Sequence, residues 1–434
     1  MKKILVITFI LIIVLNLTQI TYADTLSIPA ETAVLIDAKT GNVLYNKNMD
    51  KQMYPASTTK IMTAILALEK TDLDNKVTVD SKTPYETQQG DSSHIALRPG
   101  EELTMRDLLH ALLIESANDA AVVIARHISG SVEDFSKLMN KKAKEIGAKN
   151  THFTNPNGMP DENHTTTAYD LAIMAKYAME KQTFREIVSK YKYSISETNK
   201  QPTRYLKSAN RLLYGVGASN QINVNGNYVD IKYDGVNGIK TGYTFAAQNC
   251  LVSSAKQGNK DLIAVVLHCQ GRNVYIATHK LLNYGFENFE SKKIAFKKEF
   301  IENIKVEHGD MPYVTGIIGK DLYINIPKGK DEDVKRNIVL GEKIQAPIKE
   351  NQVLGKIEYS LDGEILGTTN IVAATNINMK PIYKVVNNTN DSIFKKWWFW
   401  LIVIFILWRV FIMYRRYKKR KLRRKKRYNI YNNY

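Results

Sequence analysis

The spacing of apolar residues changes several times along the chain, and each change predicts an element. Residues 31–48 alternate and break at Thr40-Gly41, which predicts a β-hairpin. From Thr58 the spacing becomes helical, with Ile61, Ile65 and Leu68 on one face. Leu103 to Ile128 is helical again, apart from a polar interruption from Glu115 to Asp119. Residues 133–147 and 168–190 predict further helices, residues 228–270 return to strand texture, and a last helix spans about 274–285. Strands, then helices, then strands imply an α/β (α+β) domain. Its antiparallel sheet is flanked by helices and takes its first and last strands from opposite ends of the segment. Residues 294–380 carry short alternating runs between turn residues, the pattern of a small all-β domain.

The two ends differ from this middle. Met1-Lys2-Lys3, the apolar run Ile4–Leu15 and the sequence Thr21-Tyr22-Ala23 together predict a signal peptide, residues 1–23, cut after Ala23. Trp397 to Tyr414 is apolar except for Arg409 and at 1.5 Å per residue reaches about 27 Å, close to a hydrocarbon core. Tryptophans gather at its start, and eleven of the thirteen residues Arg415–Arg427 are Lys or Arg. That flank predicts a transmembrane helix, 397–414, with a cytoplasmic tail, 415–434. The alternative is a helix lying flat on anionic lipid. The expected divisions are a catalytic domain at 24–290, an all-β domain at 291–385 and a linker at 386–396.

The net charge of +18 suggests nucleic acid until it is located. Arg409 and Arg415–Arg427 hold twelve of those charges, and Lys2, Lys3, Lys395 and Lys396 hold four. Residues 24–394 therefore carry only +2, and no nucleic-acid partner is expected. Cys250 and Cys269 are too few for a disulfide framework, and either a pair or two buried thiols fits their predicted strands. The eight histidines form no H-E-x-x-H pattern, so neither metal nor cofactor is expected.

The chemistry starts at Ser57-Thr58-Thr59-Lys60. A serine needs a base beside it to act as nucleophile, and a lysine serves only if burial or a second cation depresses its pKa. Pro55 marks a helix start, so Ser57 sits near free backbone N–H groups. S-x-x-K alone is weak, because it recurs at Ser189, Ser253 and Ser392. Ser-x-Asn occurs at 116–118 and 208–210, and Lys-Thr-Gly at 39–41 and 240–242. Order and context select Ser57/Lys60, then Ser116/Asn118 in a helix break, then Lys240-Thr241-Gly242 in a strand.

In that order, and with YPASTTKIMTAILALE, LLHALLIESANDAAVVIA, TNPNGMPDENHTTTAYDLA and DGVNGIKTGYT, residues 28–290 resemble the D-Ala-D-Ala carboxypeptidases, the low-molecular-mass penicillin-binding proteins. The resemblance implies a serine β-lactamase/transpeptidase-like fold. It also implies removal of terminal D-alanine from peptidoglycan stem peptides through a penicillin-sensitive acyl-enzyme. By resemblance Ser57 is the nucleophile, Lys60 its base and Ser116 a proton relay. Asn118 holds the substrate amide, Lys240 places a cation over the cleft, and Thr241 binds the terminal carboxylate. Gly242 belongs to the same strand, and the N–H groups of Ser57 and Tyr243 form the oxyanion hole. Some relatives carry a carboxylate-binding arginine at about the position of Val274, and Arg272 is not assigned that role. His164 is read as a structural hydrogen-bonding residue. Implied partners are wall stem peptides, β-lactams and the membrane. Two alternatives share the motifs: a class A-like β-lactamase, with Glu162 as the sole nearby acid, and a catalytically idle receptor.

Overall fold

A computed structural model describes residues 26–88, 92–381 and 397–431. The expected signal peptide, the linker 386–396 and the last tail residues, 432–434, lie outside the described residues. The chain packs as two units. The first ends at Lys292 and takes in Ile324–Val334; the second comprises Lys293–Tyr323 and continues from Lys335.

The first unit is built on an antiparallel sheet. Its strands are β1 (Thr32–Asp37), β2 (Val43–Lys47), β3 (Val236–Thr244), β4 (Gln248–Gln257) and β5 (Lys260–Cys269), in the order β2-β1-β5-β4-β3. β1 thus pairs with β5, Thr32 opposite Leu267 and Asp37 opposite Leu262, which joins the two ends of the segment. Period-two alternation gives the sheet two apolar faces. Val34, Ile36, Val252 and Ile263 face one core. Ala33, Leu35, Leu251 and Leu262 face the other, under α6 (Asn273–Asn288).

The first face is covered by α1 (Lys60–Lys70), α2 (Asn118–Ser129), α3 (Val132–Glu145), α4 (Ala168–Met179) and α5 (Gln182–Val188). The one-faced helix expected after Thr58 is instead buried all round from Lys60 to Ala67, while Leu68 is only partly buried. α2, α3 and α4 all pack on α1, so it has no solvent face to keep polar. The stretch expected as one helix from 168 to 190 breaks into α4 and α5. Asp170 and Asp134 show why two of these helices start where they do: their amides donate to the Thr167 and Ser131 hydroxyls.

The second unit holds a five-stranded antiparallel sheet. Its strands are β6 (Phe300–Lys305), β7 (Tyr313–Ile318), β8 (Lys335–Leu340), β9 (Val353–Leu361) and β10 (Glu364–Ala373), in the order β6-β7-β10-β9-β8. Ile304, Val314, Ile318, Ile357 and Ile371 are buried there. The last element is one helix, α7 (Trp397–Tyr431), whose stretch Trp397–Leu422 has a mean hydropathy of 1.9 over its most apolar window. The helix runs on through the basic tail because Lys and Arg are good helix formers and 397–431 contains neither Gly nor Pro.

Candidate active site

Ser57 lies on a 3₁₀ turn, Ala56–Thr59, that leads directly into α1 with Lys60 as its first residue. The i, i+3 spacing places the Lys60 Nζ 2.9 Å from the Ser57 Oγ. The same Nζ donates to the Asn118 Oδ1 and to the Asn157 carbonyl, each at 2.7 Å. Both oxygens are acceptors only, so they take two hydrogens of the amine. In a neutral amine the remaining lone pair then faces the Ser57 hydroxyl, as a general base requires.

Lys60 is 0% exposed and Lys240 2% exposed. Burial holds Lys60 well below the ordinary lysine range, the Lys240 cation lowers it further, and Asp119 opposes both. Burial also brings Lys240 down to about 7, against a smaller opposing effect of Glu115. Its Nζ donates to the Thr241 carbonyl at 2.9 Å.

The other side of the cleft comes from the helix break. One wide turn, Ala111–Glu115, ends at Ser116, whose φ of 64° and ψ of 27° lie in the left-handed region. A non-glycine residue there is strained and signals a held position. Ser116 and the start of α2, Asn118, both line the cleft. Asp119 accepts the N–H groups of Ile95, Leu97 and Ala120, while the Asn118 N–H donates to the Ser93 carbonyl. These bonds pin residues 93–97 to the helix start and set Ser93 into the cleft wall.

The floor is β3, an edge strand that pairs on one side with β4. Its other edge is open to an extended peptide. A Cβ at Gly242 would lie 3.1 Å from the Ser57 N and the Ala56 Cβ, so the strand runs hard against the Ser57 turn. Thr241, Gly242 and Tyr243 line a cleft of about 570 Å³, and Tyr243 projects into solvent.

All eight residues selected from the sequence therefore lie at one site. Three were missed. Asn157 holds Lys60 through its carbonyl, Asp119 braces the wall, and Gly158 lets the loop pass the nucleophile turn. The Asn155 Oδ1 accepts the Gly158 and Met159 N–H groups and shapes that loop. Asn155-Pro156-Asn157-Gly158 carries a turn signal, but nothing in it says which carbonyl meets a lysine.

The rival motif copies at 39–41, 208–210 and Ser253 have other roles, and the copy at Ser392 lies outside the described residues. Asp37 binds the Lys39 and Thr40 N–H groups, making 39–41 a turn. The Asn210 side chain caps the Leu212 N–H, and the Ser253 hydroxyl donates to the Gly238 carbonyl inside the sheet. The Arg272 guanidinium donates to the Gln221 and Ser219 carbonyls, while Val274 lines the cleft. The His164 Nδ1 accepts the Thr154 N–H, so Nε2 carries the hydrogen donated to the Thr59 Oγ1 at 2.8 Å. Burial lowers His164 to about 4, so the ring is a neutral brace behind the nucleophile turn. Cys250 and Cys269 are free buried thiols, and burial pushes Cys250 up to about 12.

The two lysines predict a pH dependence. Acylation by a β-lactam should rise as Lys60 loses its proton and fall again near pH 7 as Lys240 loses its charge, a bell that stopped-flow acylation rates will trace. Stability follows with a definite sign. The Lys240 pKa is about 7 when folded and about 10.4 when unfolded, so the unfolded chain binds more protons between them. The Lys240 contribution to stability is therefore highest above the unfolded value and falls by about 1.4 kcal/mol per pH unit down to about 7. Urea titrations should show Lys240→Met losing that share of the slope.

Two family models match the chain. One, described as D-alanyl-D-alanine carboxypeptidase, covers residues 18–271; the other, described as the penicillin-binding protein 5 C-terminal domain, covers 289–379. D-alanyl-D-alanine carboxypeptidase DacF of Bacillus subtilis is 38% identical over 349 residues, 79% of this chain and 85% of that one. DacA of Haemophilus influenzae is 35% identical over 389 residues, 87% and 89% of the two chains. Among solved structures, penicillin-binding protein 5 of H. influenzae aligns with a TM-score of 0.66 at 32% identity, covering 81% of this chain and 98% of that one. PBP3 of Streptococcus pneumoniae aligns at 0.68 and 26%, covering 81% and 100%.

Proposed function

The chain belongs to the D-alanyl-D-alanine carboxypeptidase family, and we propose the following course for its reaction. Lys60 takes the Ser57 proton, and Oγ attacks the carbonyl carbon of the penultimate D-alanine. The oxyanion is held by the N–H groups of Ser57 and Tyr243. The proton passes by way of Ser116 to the nitrogen of the terminal D-alanine, which leaves as the C–N bond breaks. Water then hydrolyses the ester and restores the Ser57 hydroxyl. Asn118 holds the substrate amide, Thr241 binds the terminal carboxylate, and Lys240 supplies the cation above it. Gly242 keeps the strand close to the serine. The substrate is the stem peptide of peptidoglycan, and β-lactams acylate the same serine.

The observation that carries this reading is the Lys60 amine. It is buried, depressed in pKa, held by two carbonyl oxygens and directed at Ser57. The test incubates the full chain in detergent with a peptide ending in Lys-D-Ala-D-Ala and measures free D-alanine. Release is expected; no release, with the chain folded, overturns the reading.

The β-lactamase alternative needs a carboxylate to activate water on the acyl-enzyme. Among the described residues, those lining the cleft include no acid, and Glu162 is exposed away from it. A β-lactam adduct should consequently be long-lived. Intact-protein mass spectrometry should still show it after hours, on the peptide holding Ser57.

The apolar α7 anchors a cell-wall enzyme to a membrane. We propose residues 1–23 as a cleaved export signal, 24–290 and 291–385 as the extracellular catalytic and all-β domains, and 386–396 as the linker. Residues 397–414 then span the membrane and 415–434 form a cytoplasmic tail. N-terminal sequencing of the mature chain should begin at Asp24.

A further inference from the structure

A hairpin beside the cleft carries a face that the reaction above does not use. Its strands, Lys192–Ile195 and Arg204–Lys207, pair with Lys192 opposite Lys207 and Ser194 opposite Tyr205. Side chains alternate between the two faces. Ile195 and Leu206 are buried on the inner face, where Tyr193 stacks on His110 with ring centroids 3.6 Å apart. Lys192, Ser194, Tyr205 and Lys207 form the outer face, and all four are exposed. Exposure keeps alternating past the end of the strand, so the row Tyr205, Lys207 runs on to Ala209, which lines the cleft. From Lys207 to Ala209 is at most about 7 Å of extended chain.

The outer face holds charge without a counter-charge. Lys192 and Lys207 stand directly opposite each other, an unfavourable arrangement for like charges. The Lys192 Nζ lies 5.4 Å from the Tyr191 ring centre and the Lys207 Nζ 5.0 Å from that of Tyr214, and the two rings are 5.9 Å apart. A ring face attracts an ammonium but does not cancel its charge. Among the described residues neither lysine forms an ion pair. The neighbouring Glu115 carboxylate accepts the Lys207 backbone N–H. Tyr205, on the same face, is 82% exposed. Two opposed ammoniums suit a carboxylate placed between them, and an uncovered tyrosine ring suits the C–H face of a sugar.

We infer that this face binds the glycan strand that carries the stem peptides, Lys192 and Lys207 taking a carboxylate and Tyr205 a sugar ring. This role rests on the peptidoglycan reading above and extends it from the bond that is cut to the polymer around it. Every uncut stem ends in a carboxylate, so a strand that offers one stem to Ser57 brings others alongside.

Fluorescently labelled soluble glycan strands with intact stems are titrated with the full chain in detergent and followed by anisotropy. Saturable binding that weakens with added salt is expected. The double variant Lys192→Gln/Lys207→Gln and the single variant Tyr205→Ala should each weaken it about tenfold or more. Release of D-alanine from the short Lys-D-Ala-D-Ala peptide should stay within about twofold of the parent in both, and thermal unfolding checks that they are folded. Binding that the variants leave unchanged would overturn the inference. So would an equal loss on the short peptide, or tighter binding of poly(glycerol phosphate), which would make the face a phosphodiester site. The anisotropy needs no turnover. A chain that binds strands through this face yet releases no D-alanine would overturn the proposed reaction and support the inference.

Discussion

Ser57→Ala should lower kcat/KM for D-alanine release by at least about 10⁴-fold and abolish covalent labelling by β-lactams, with the fold intact. The Oγ removed has Lys60 as its hydrogen-bond partner, and that amine keeps two carbonyl acceptors when the hydroxyl is gone. Lys60→Met should lose about 10²–10⁴-fold, because the serine stays but its proton has no acceptor. The double variant should be no worse than Ser57→Ala, since the two residues act as one unit. Steady-state assays of the three chains settle the matter. More than about 1% of parental activity in Ser57→Ala would mean that another group attacks the substrate.

Gly158→Ala should be nearly as damaging by a different route. Gly158 has φ of +85°, and an added Cβ would sit 1.8 Å from the Ala56 carbonyl oxygen and 2.9 Å from the Thr59 Oγ1. No side-chain rotation relieves a clash with backbone, so the loop and the nucleophile turn must separate. The neighbouring Asn157 carbonyl would then move off the Lys60 Nζ. A loss of about 2–4 kcal/mol in stability is expected from strain and the freed buried groups, with at least about 100-fold in activity. Urea unfolding and D-alanine release on one preparation measure both. A variant within about 0.5 kcal/mol and threefold of the parent would show that the loop does not brace the lysine.

The kinds of element were legible wherever local pattern decides them. β1 with β2, β3 to β5 and the α6 helix all follow from alternation, helical spacing and turn residues. The packing of α1 was not, because a helix buried on every side depends on what surrounds it. Residues 192–207 form a small hairpin of two short strands, Lys192–Ile195 and Arg204–Lys207, that went unassigned. Its strands are four residues each and rich in lysine and arginine, too short for alternation to register.

At the site, the chain itself determines which atoms are available and in what order. Ser57 and Lys60 share a helical face because three residues nearly complete a turn, and that relation needs no tertiary contact. The choice between Ser116-Ala117-Asn118 and Ser208-Ala209-Asn210 could be made from order and from the polar break in a helix. What the sequence could not supply is proton affinity. Lys60 is a base because α2, the Asn157 loop and Lys240 converge on it from 58, 97 and 180 residues away and remove its water. Burial favours the neutral amine only once those segments close together. Spacing along the chain gave the lysine its neighbour, and only the folded surroundings made it able to take that neighbour's proton.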